Sequence, residues 1–549
     1  MTTSAAPTAA SRPGRPQGWA AVRRRREVAL VVAGLLVIGL GLGLGLGLSG
    51  AAAAPPDTGA ARLVPSDALG YLNVSLDRGR PGVSQTLSAA NRLPGFALAR
   101  AVAEARLGAL SGSGSDFAHA TRAWLGDEAA LAVLPAGGGG AGSRADSLVL
   151  LAARRPAAAR RYLASLPSRR AVYMGGVAAR ELSGGAYVAL LGRYVVAGQL
   201  ASVRQAVDVA HGAPSLASDP AFRRASAGDP AGRALDVYAP AGGLSALLGG
   251  RGGLLGALGT LLAQPGLVSA GASLSPAPGG LRIRIHSVFS DAAGRTAGGS
   301  FDPSVLRRLP AGVAFALDTQ GLPAAAPRLL SAAASVGVGG AIGPLLSRLG
   351  RALRAEGYDL APLLALFAGQ TAVAVTDTGG HPGLLVLTRT SDPAAARIVL
   401  ADVAPPLASL FRNSSSGPGV APLFNGLQTH GMVIHQLQLG AGLQVNYTVY
   451  HHLVGVSTTV SGLTSLARGA GTLGASAPYL TAFGPGGAAA GSLVFLDLRV
   501  LIRLGEQAGL LQGPGFARLA PDLDRISVIG LRARGDKSES TSELYFKIP

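Results

Sequence analysis

The pentapeptide Pro-Ala-Ala-Ala-Arg occurs twice, at Pro156–Arg160 and Pro393–Arg397. Each copy follows an apolar run, Ser147–Ala152 in the first case and Leu384–Thr388 in the second. A single match of this kind is weak, but others keep the same order around it. Leu63-Val-Pro65 precedes the apolar stretch Leu69–Leu76, and Leu309-Pro310 precedes Val313–Leu317. Trp124–Val133 resembles Phe367–Val375, placing Asp127-Glu128 against Gln370-Thr371. Tyr194–Gly198 matches Leu453–Ser457, Ser218–Phe222 matches Ser476–Leu480, and the run Leu267–Ser290 matches Ile526–Ile548. The preserved order implies one unit of ordinary domain size, present twice.

Each copy reads as strand, long helical stretch, two strands, helix, three or four short strands, helices, strand, helix and hairpin. Pro156 and Pro393 suit a first helical turn, where a missing N–H costs nothing, and Asp392 stands just before the second. Leu281-Arg-Ile-Arg-Ile-His286 alternates apolar and polar residues, as a strand with one wet face does. The predicted class is therefore α+β, with largely antiparallel sheets. Two tandem repeats are expected, 62–300 and 301–549, each with helices on one sheet face and the two sheets side by side.

Residues Val28–Leu48 carry no charge, which is enough for a membrane-spanning helix. Arg12, Arg15 and the run Arg23–Arg26 precede it, and the next cation is Arg62. The positive-inside rule then puts the basic tail 1–27 in the cytoplasm and everything after the linker 49–61 outside it. The expected localisation is the plasma membrane, single-pass. The small residues Ala51–Ala54 leave open a cleaved signal peptide with the same final side.

The net charge of +19 suggests nucleic acid at first sight. Yet lysine occurs only at Lys537 and Lys547, the arginines beyond the anchor are scattered, and no basic run interleaves with aromatics, so no nucleic acid is expected. There is no cysteine, hence no disulfide, thiolate nucleophile or lipoprotein attachment. Gly-x-Ser-x-Gly, Gly-x-x-x-x-Gly-Lys-Ser/Thr and His-Glu-x-x-His are all missing. His430, His435, His451 and His452 cluster, and His435 with one of the last two could meet across neighbouring strands. They are read as ordinary surface histidines. The Asp127-Glu128 pair is read as a polar turn entering a buried strand rather than as paired catalytic carboxylates. No catalytic, cofactor-binding or metal residue is assigned.

The segment Leu63–Tyr71 and the Trp-Leu-Gly-Asp-Glu run at Trp124–Glu128, placed after a basic stretch and one apolar helix, resemble bacterial membrane-anchored proteins carrying domain of unknown function 3352. The resemblance extends over Arg62–Pro549 and implies an exported, anchored protein, with no catalytic residues to carry over. The expected function is a non-enzymatic module binding an envelope protein, lipid or polymer. Two alternatives stand beside it. One is a carrier or sensor of an apolar ligand, lined by Leu244–Leu262 and Leu322–Leu349; the other is an envelope hydrolase with an unrecognised site.

Overall fold

In the computed structural model the described residues are 58–98, 121–136, 145–182, 184–248, 264–290, 299–335, 361–409, 423–440, 443–468, 471–485, 489–509 and 514–549. Isolated positions at 259, 262, 350, 351, 353–355, 357–359 and 511 are also described. The expected anchor Val28–Leu48 and much of the two Leu-rich segments lie outside them. Among the described residues no helix is long and apolar enough to cross a membrane.

The first half contributes β1 (Gly70–Ser75), β2 (Leu125–Leu134), β3 (Asp146–Ala153), β4 (Ser168–Met174), β5 (Val177–Leu182), β6 (Tyr187–Leu191), β7 (Tyr194–Gly198), β8 (Leu235–Pro240), β9 (Leu267–Ala277) and β10 (Gly280–Phe289). The second contributes β11 (Val313–Gln320), β12 (Gln370–Asp377), β13 (Pro382–Arg389), β14 (Asn425–Thr429), β15 (Met432–Gly440), β16 (Leu443–Tyr450), β17 (Leu453–Ser457), β18 (Ser492–Asp497), β19 (Val528–Gly535) and β20 (Glu539–Lys547). Every pairing is antiparallel. In the first half the strands lie in the order β4-β5-β6-β7-β3-β2-β1-β8-β9-β10. The second half has the corresponding order β14-β15-β16-β17-β13-β12-β11-β18-β19-β20.

The expected two sheets are one. β10 pairs with β20 from Gly280 opposite Lys547 to Val288 opposite Glu539, making a single 20-stranded sheet. Each of these strands would otherwise be an exposed edge with unpaired N–H and C=O groups, and each satisfies the other. The helices that matter here are α1 (Pro81–Ala90), α2 (Pro156–Ser165), α3 (Leu200–Ala210), α4 (Pro220–Ala225), α5 (Pro393–Ser409), α6 (Val460–Arg468) and α7 (Ala477–Phe483). α1 lies across the join: Ala89 packs with Leu281 and Ile548, and Arg92 Nη1 donates to the Ile548 carbonyl at 3.1 Å.

Helices cover both faces of the sheet, not the one expected. Leu148, Leu150 and Ala152 share a core with Val203, Ala206 and Val207 of α3. The intervening Leu151 and Ala153 point the other way, into Trp124 and into Ala159 and Leu163 of α2. In the second half Leu385 and Leu387 meet Leu463 of α6, while Val454 meets Ala396 and Leu400 of α5 on the opposite face. The reason is written in β3: Leu148–Ala153 is continuously apolar, the signature of a strand buried on both sides.

The helix starts follow the prolines. α2 carries Pro156 in its first turn, and Pro393 opens α5. The Asp392 carboxylate caps α5 by accepting the N–H groups of Ala394 and Ala395, each at 2.9 Å. α4 and α7 sit at matching places. Asp219 caps α4 and Ser476 caps α7, so these two residues correspond and the proline-based match of this segment is one residue out. Phe222 of α4 meets Tyr238 edge-on at 5.1 Å, and Tyr479 of α7 meets Phe495 at 6.1 Å. The hydroxyl has changed sides of the aromatic pair.

Candidate functional site

Asp127 and Glu128 are neighbours on β2, so their side chains leave opposite faces of the strand. Asp127 is exposed and Glu128 fully buried. They do not converge on a shared substrate atom. Glu128 accepts the Tyr194 hydroxyl at 2.5 Å and the Ala60 N–H at 2.9 Å, with Arg193 at 3.7 Å. It ties the segment entering the first half to the sheet. Burial first, and then the hydrogen bond to Glu128, raises the Tyr194 phenol above its ordinary value and keeps it a donor.

The ladder re-registers the sequence match. Pro65 bridges Ser215 and Pro310 bridges Thr472, so these prolines correspond. At the same step beyond them stand Ser75, opposite Glu128, and Gln320, opposite Gln370. Glu128 therefore corresponds to Gln370, not Thr371. A register shift in β2 between Leu125 and Ala129 hides this in the sequence. Gln370 Nε2 donates to the Asp302 carbonyl at 3.0 Å and to Asp318 Oδ2 at 2.9 Å.

Beside these buried groups each half carries an open cleft. In the first half about 390 Å³ is lined by Gly126, Asp127, Ala152, Ala153, Arg154, Pro156 and Arg193. In the second about 380 Å³ is lined by Phe301, Asp302, Gln320, Gly369, Gln370, Arg389, Thr390 and Ser391. The positions correspond: Ala153 donates its N–H to the Arg193 carbonyl at 2.7 Å, and Thr390 donates its own to the His452 carbonyl at 2.9 Å. Each cleft sets a carboxylate and at least one guanidinium at the end of the third strand of its half. In the second, Arg307 clamps both Asp302 oxygens at 2.6 and 2.7 Å, and Arg389 donates to Ser304 at 2.9 Å. The Arg307 clamp outweighs burial and holds the Asp302 carboxyl below its ordinary value.

A fully buried carboxylate and a largely buried one escaped the sequence reading. Asp318 is fully buried in β11, and burial lifts its carboxyl to about 7 against the hydrogen bond from Gln370. Asp236 of β8, opposite fully buried Asn73, is likewise lifted to about 7 by burial, against its ion pair with Arg233. The signal was available: Asp318 follows directly on Val313–Leu317, on the face that buries Ala314 and Ala316.

A third cleft, of about 250 Å³, lies at the join between the halves, where Arg282, Arg532, Glu543 and Tyr545 face α7.

The family model for the protein of unknown function DUF3352 matches residues 28–404. The chain belongs to this family. The DUF3352 match begins at the first residue of the apolar run, crosses from the first half into the second and ends within α5. No curated protein matches the chain. Among solved structures, crystal form I of TP0453 is similar at 12% identity and a TM-score of 0.24, over 42% of this chain and 78% of that one. Crystal form IV of TP0453 gives 10% and 0.23, over 42% and 83%. A likeness this distant carries no function across.

In this DUF3352 chain the histidine cluster disperses. His430 and His451 occupy left-handed backbone positions in the turns joining β14 to β15 and β16 to β17, not strand positions. His435 stacks on Tyr447 at 4.6 Å, its ladder partner, well along the strand from those turns. Among the described residues no three His, Asp or Glu side chains group as metal ligands. Thr390, in the second cleft, donates its hydroxyl to the Asp392 carbonyl at 3.0 Å rather than to a base. What both clefts present is guanidinium, carboxylate and backbone, which recognises charged groups by hydrogen bonding.

Proposed function

We propose that this protein is a non-enzymatic binding module, tethered to the plasma membrane of a bacterial cell through Val28–Leu48 and carrying its two halves on the extracytoplasmic side. The two halves are read as copies of one duplicated unit. One observation carries the reading: both halves keep an open cleft at the corresponding place, at the end of β3 and of β13, with Arg154 and Arg193 in one and Arg389 in the other. A duplicated surface offers two attachment points, and two linked contacts bind a repetitive partner more tightly than either alone. Arginine beside carboxylate suits a charged envelope polymer or the polar surface of an envelope protein. The buried carboxylates are tied into the fold and serve to hold it.

The test is photo-crosslinking in intact cells from a reactive residue placed at exposed Arg154. Recovery of extracytoplasmic protein or wall polymer is expected, reduced when Arg389 in the second cleft is also changed to Ala. Recovery of cytoplasmic proteins alone would refute the proposal.

A further inference from the structure

We propose that the cleft at the join between the halves binds a small monocarboxylate with an apolar body, separately from the paired clefts. Its walls are of two kinds. Pro278, Leu480 and Phe483 supply apolar surface, and Arg282, Arg532 and Glu543 supply charge.

The charge is unbalanced toward positive. Arg532 Nη2 donates to Glu543 at 2.9 Å, and Arg282 and Arg534 act on the same carboxylate. Although burial acts to raise it, these guanidiniums hold the Glu543 carboxyl below its ordinary value. Arg282 is exposed, and among the described residues its guanidinium makes no hydrogen bond, although Glu543 lies within its field. Its ladder partner is Tyr545, whose hydroxyl is already committed to the Pro278 carbonyl at 2.8 Å.

The first half displays what fills the corresponding place. Gly271 lies under α4 as Gly530 lies under α7. Opposite Gly271 is His286, and opposite Gly530 is Tyr545. Two pairs further along, on the same face, Ser273 faces Arg284 where Arg532 faces Glu543. Over Ser273, Arg284 and His286 folds the loop that follows α4. Arg284 Nη1 donates to the Gly228 carbonyl at 2.6 Å, and Asp229 lies against Ser273, Arg233, Arg284 and His286. The chain's own carboxylate occupies that place. The segment following α7, Gly484-Pro-Gly-Gly-Ala-Ala-Ala-Gly491, contains no acid. At the second-half position Glu543 already pairs with Arg532, and the Arg282 guanidinium on the cleft wall is the surplus charge left for a carboxylate from outside. The apolar walls select for a compact hydrocarbon or aromatic body.

The experiment is isothermal titration of the full chain in detergent with benzoate, with benzamide as the uncharged isostere and inorganic phosphate as the alternative anion. Saturable benzoate binding is expected, with no benzamide binding. Arg282→Gln removes a charge-assisted contact and weakens benzoate by about tenfold. Thr481→Glu, at an exposed position on the cleft wall, places a tethered carboxylate in the site and abolishes binding. Arg154→Gln, in the first-half cleft, leaves benzoate affinity unchanged, which separates this site from the paired clefts. Benzoate binding that survives both Arg282→Gln and Thr481→Glu would overturn the assignment. So would the absence of benzoate binding, or phosphate binding in its place.

Discussion

Glu128 and Gln370 stand at the same step of the second strand in each half, yet their hydrogen-bond polarity is opposite. Glu128 accepts an N–H from Ala60, whereas Gln370 donates to the carbonyl of Asp302. A carboxylate or an amide serves the position provided the entering backbone turns the matching group toward it. The amide also reaches Asp318, whose carboxyl burial lifts to about 7. An Asp whose folded value is raised contributes stability that is fully present below its unfolded value of about 4 and is lost as the pH rises through about 7. Asp318→Asn removes this titration and keeps the shape. Relative to the natural chain, the variant should gain about 2–4 kcal/mol between pH 4 and pH 8, read from denaturation midpoints across that range. A constant difference over the range would show that Asp318 titrates normally.

At the scale of elements, α4 and α7 rest on Gly271 and Gly530 in corresponding fashion, but the neighbours differ. A Cβ on Gly271 would come within 2.5 Å of the Ala225 backbone oxygen, while one on Gly530 would meet the Ala482 Cβ at 2.8 Å and the Phe483 ring at 3.2 Å. The Ala482 Cβ moves only with the α7 backbone, so either substitution makes a helix shift, and the shorter contact at Gly271 demands the larger shift. Gly271→Ala should therefore cost about 1–3 kcal/mol and Gly530→Ala distinctly less, compared by urea denaturation. Equal costs would mean that the shorter contact at Gly271 is relieved as easily as the one at Gly530. The element order was legible in the sequence because proline, apolar period and turn residues each mark local structure: Pro156 and Pro393 do open helices, and Leu267–Ser290 and Ile526–Ile548 do form hairpins. The register was not legible. The shift near Leu125 moved the apparent partner of Glu128 by one, and the cap at Ser476 overrode the match of Pro220 with Pro478.

For the whole molecule, the decisive contact was invisible to local reading. β10 and β20 lie far apart in the chain, and nothing in Leu281–His286 says that its open edge will meet Glu539–Lys547 rather than solvent. Their pairing turns two expected sheets into one and creates the cleft at the join. Coverage of both faces was half legible, since the unbroken apolar run in β3 announces it while the alternation in β10 argues against it. The join explains the alternation: one side of β10 lies under α1, and the other carries Arg282, Arg284 and His286. The proposed binding role and tether require the sheet, with its clefts in both halves, to stand on the extracytoplasmic side.

That placement can be measured directly, because the chain contains no cysteine and a single introduced thiol is a unique reporter. Ala157, exposed in the first turn of α2 beside the first-half cleft, is one site, and Ser4 in the basic tail is the other. Intact cells are treated with a membrane-impermeant maleimide. The account predicts that Ala157→Cys is labelled at once and Ser4→Cys only after permeabilisation. Labelling of Ser4→Cys in intact cells with Ala157→Cys protected would contradict it.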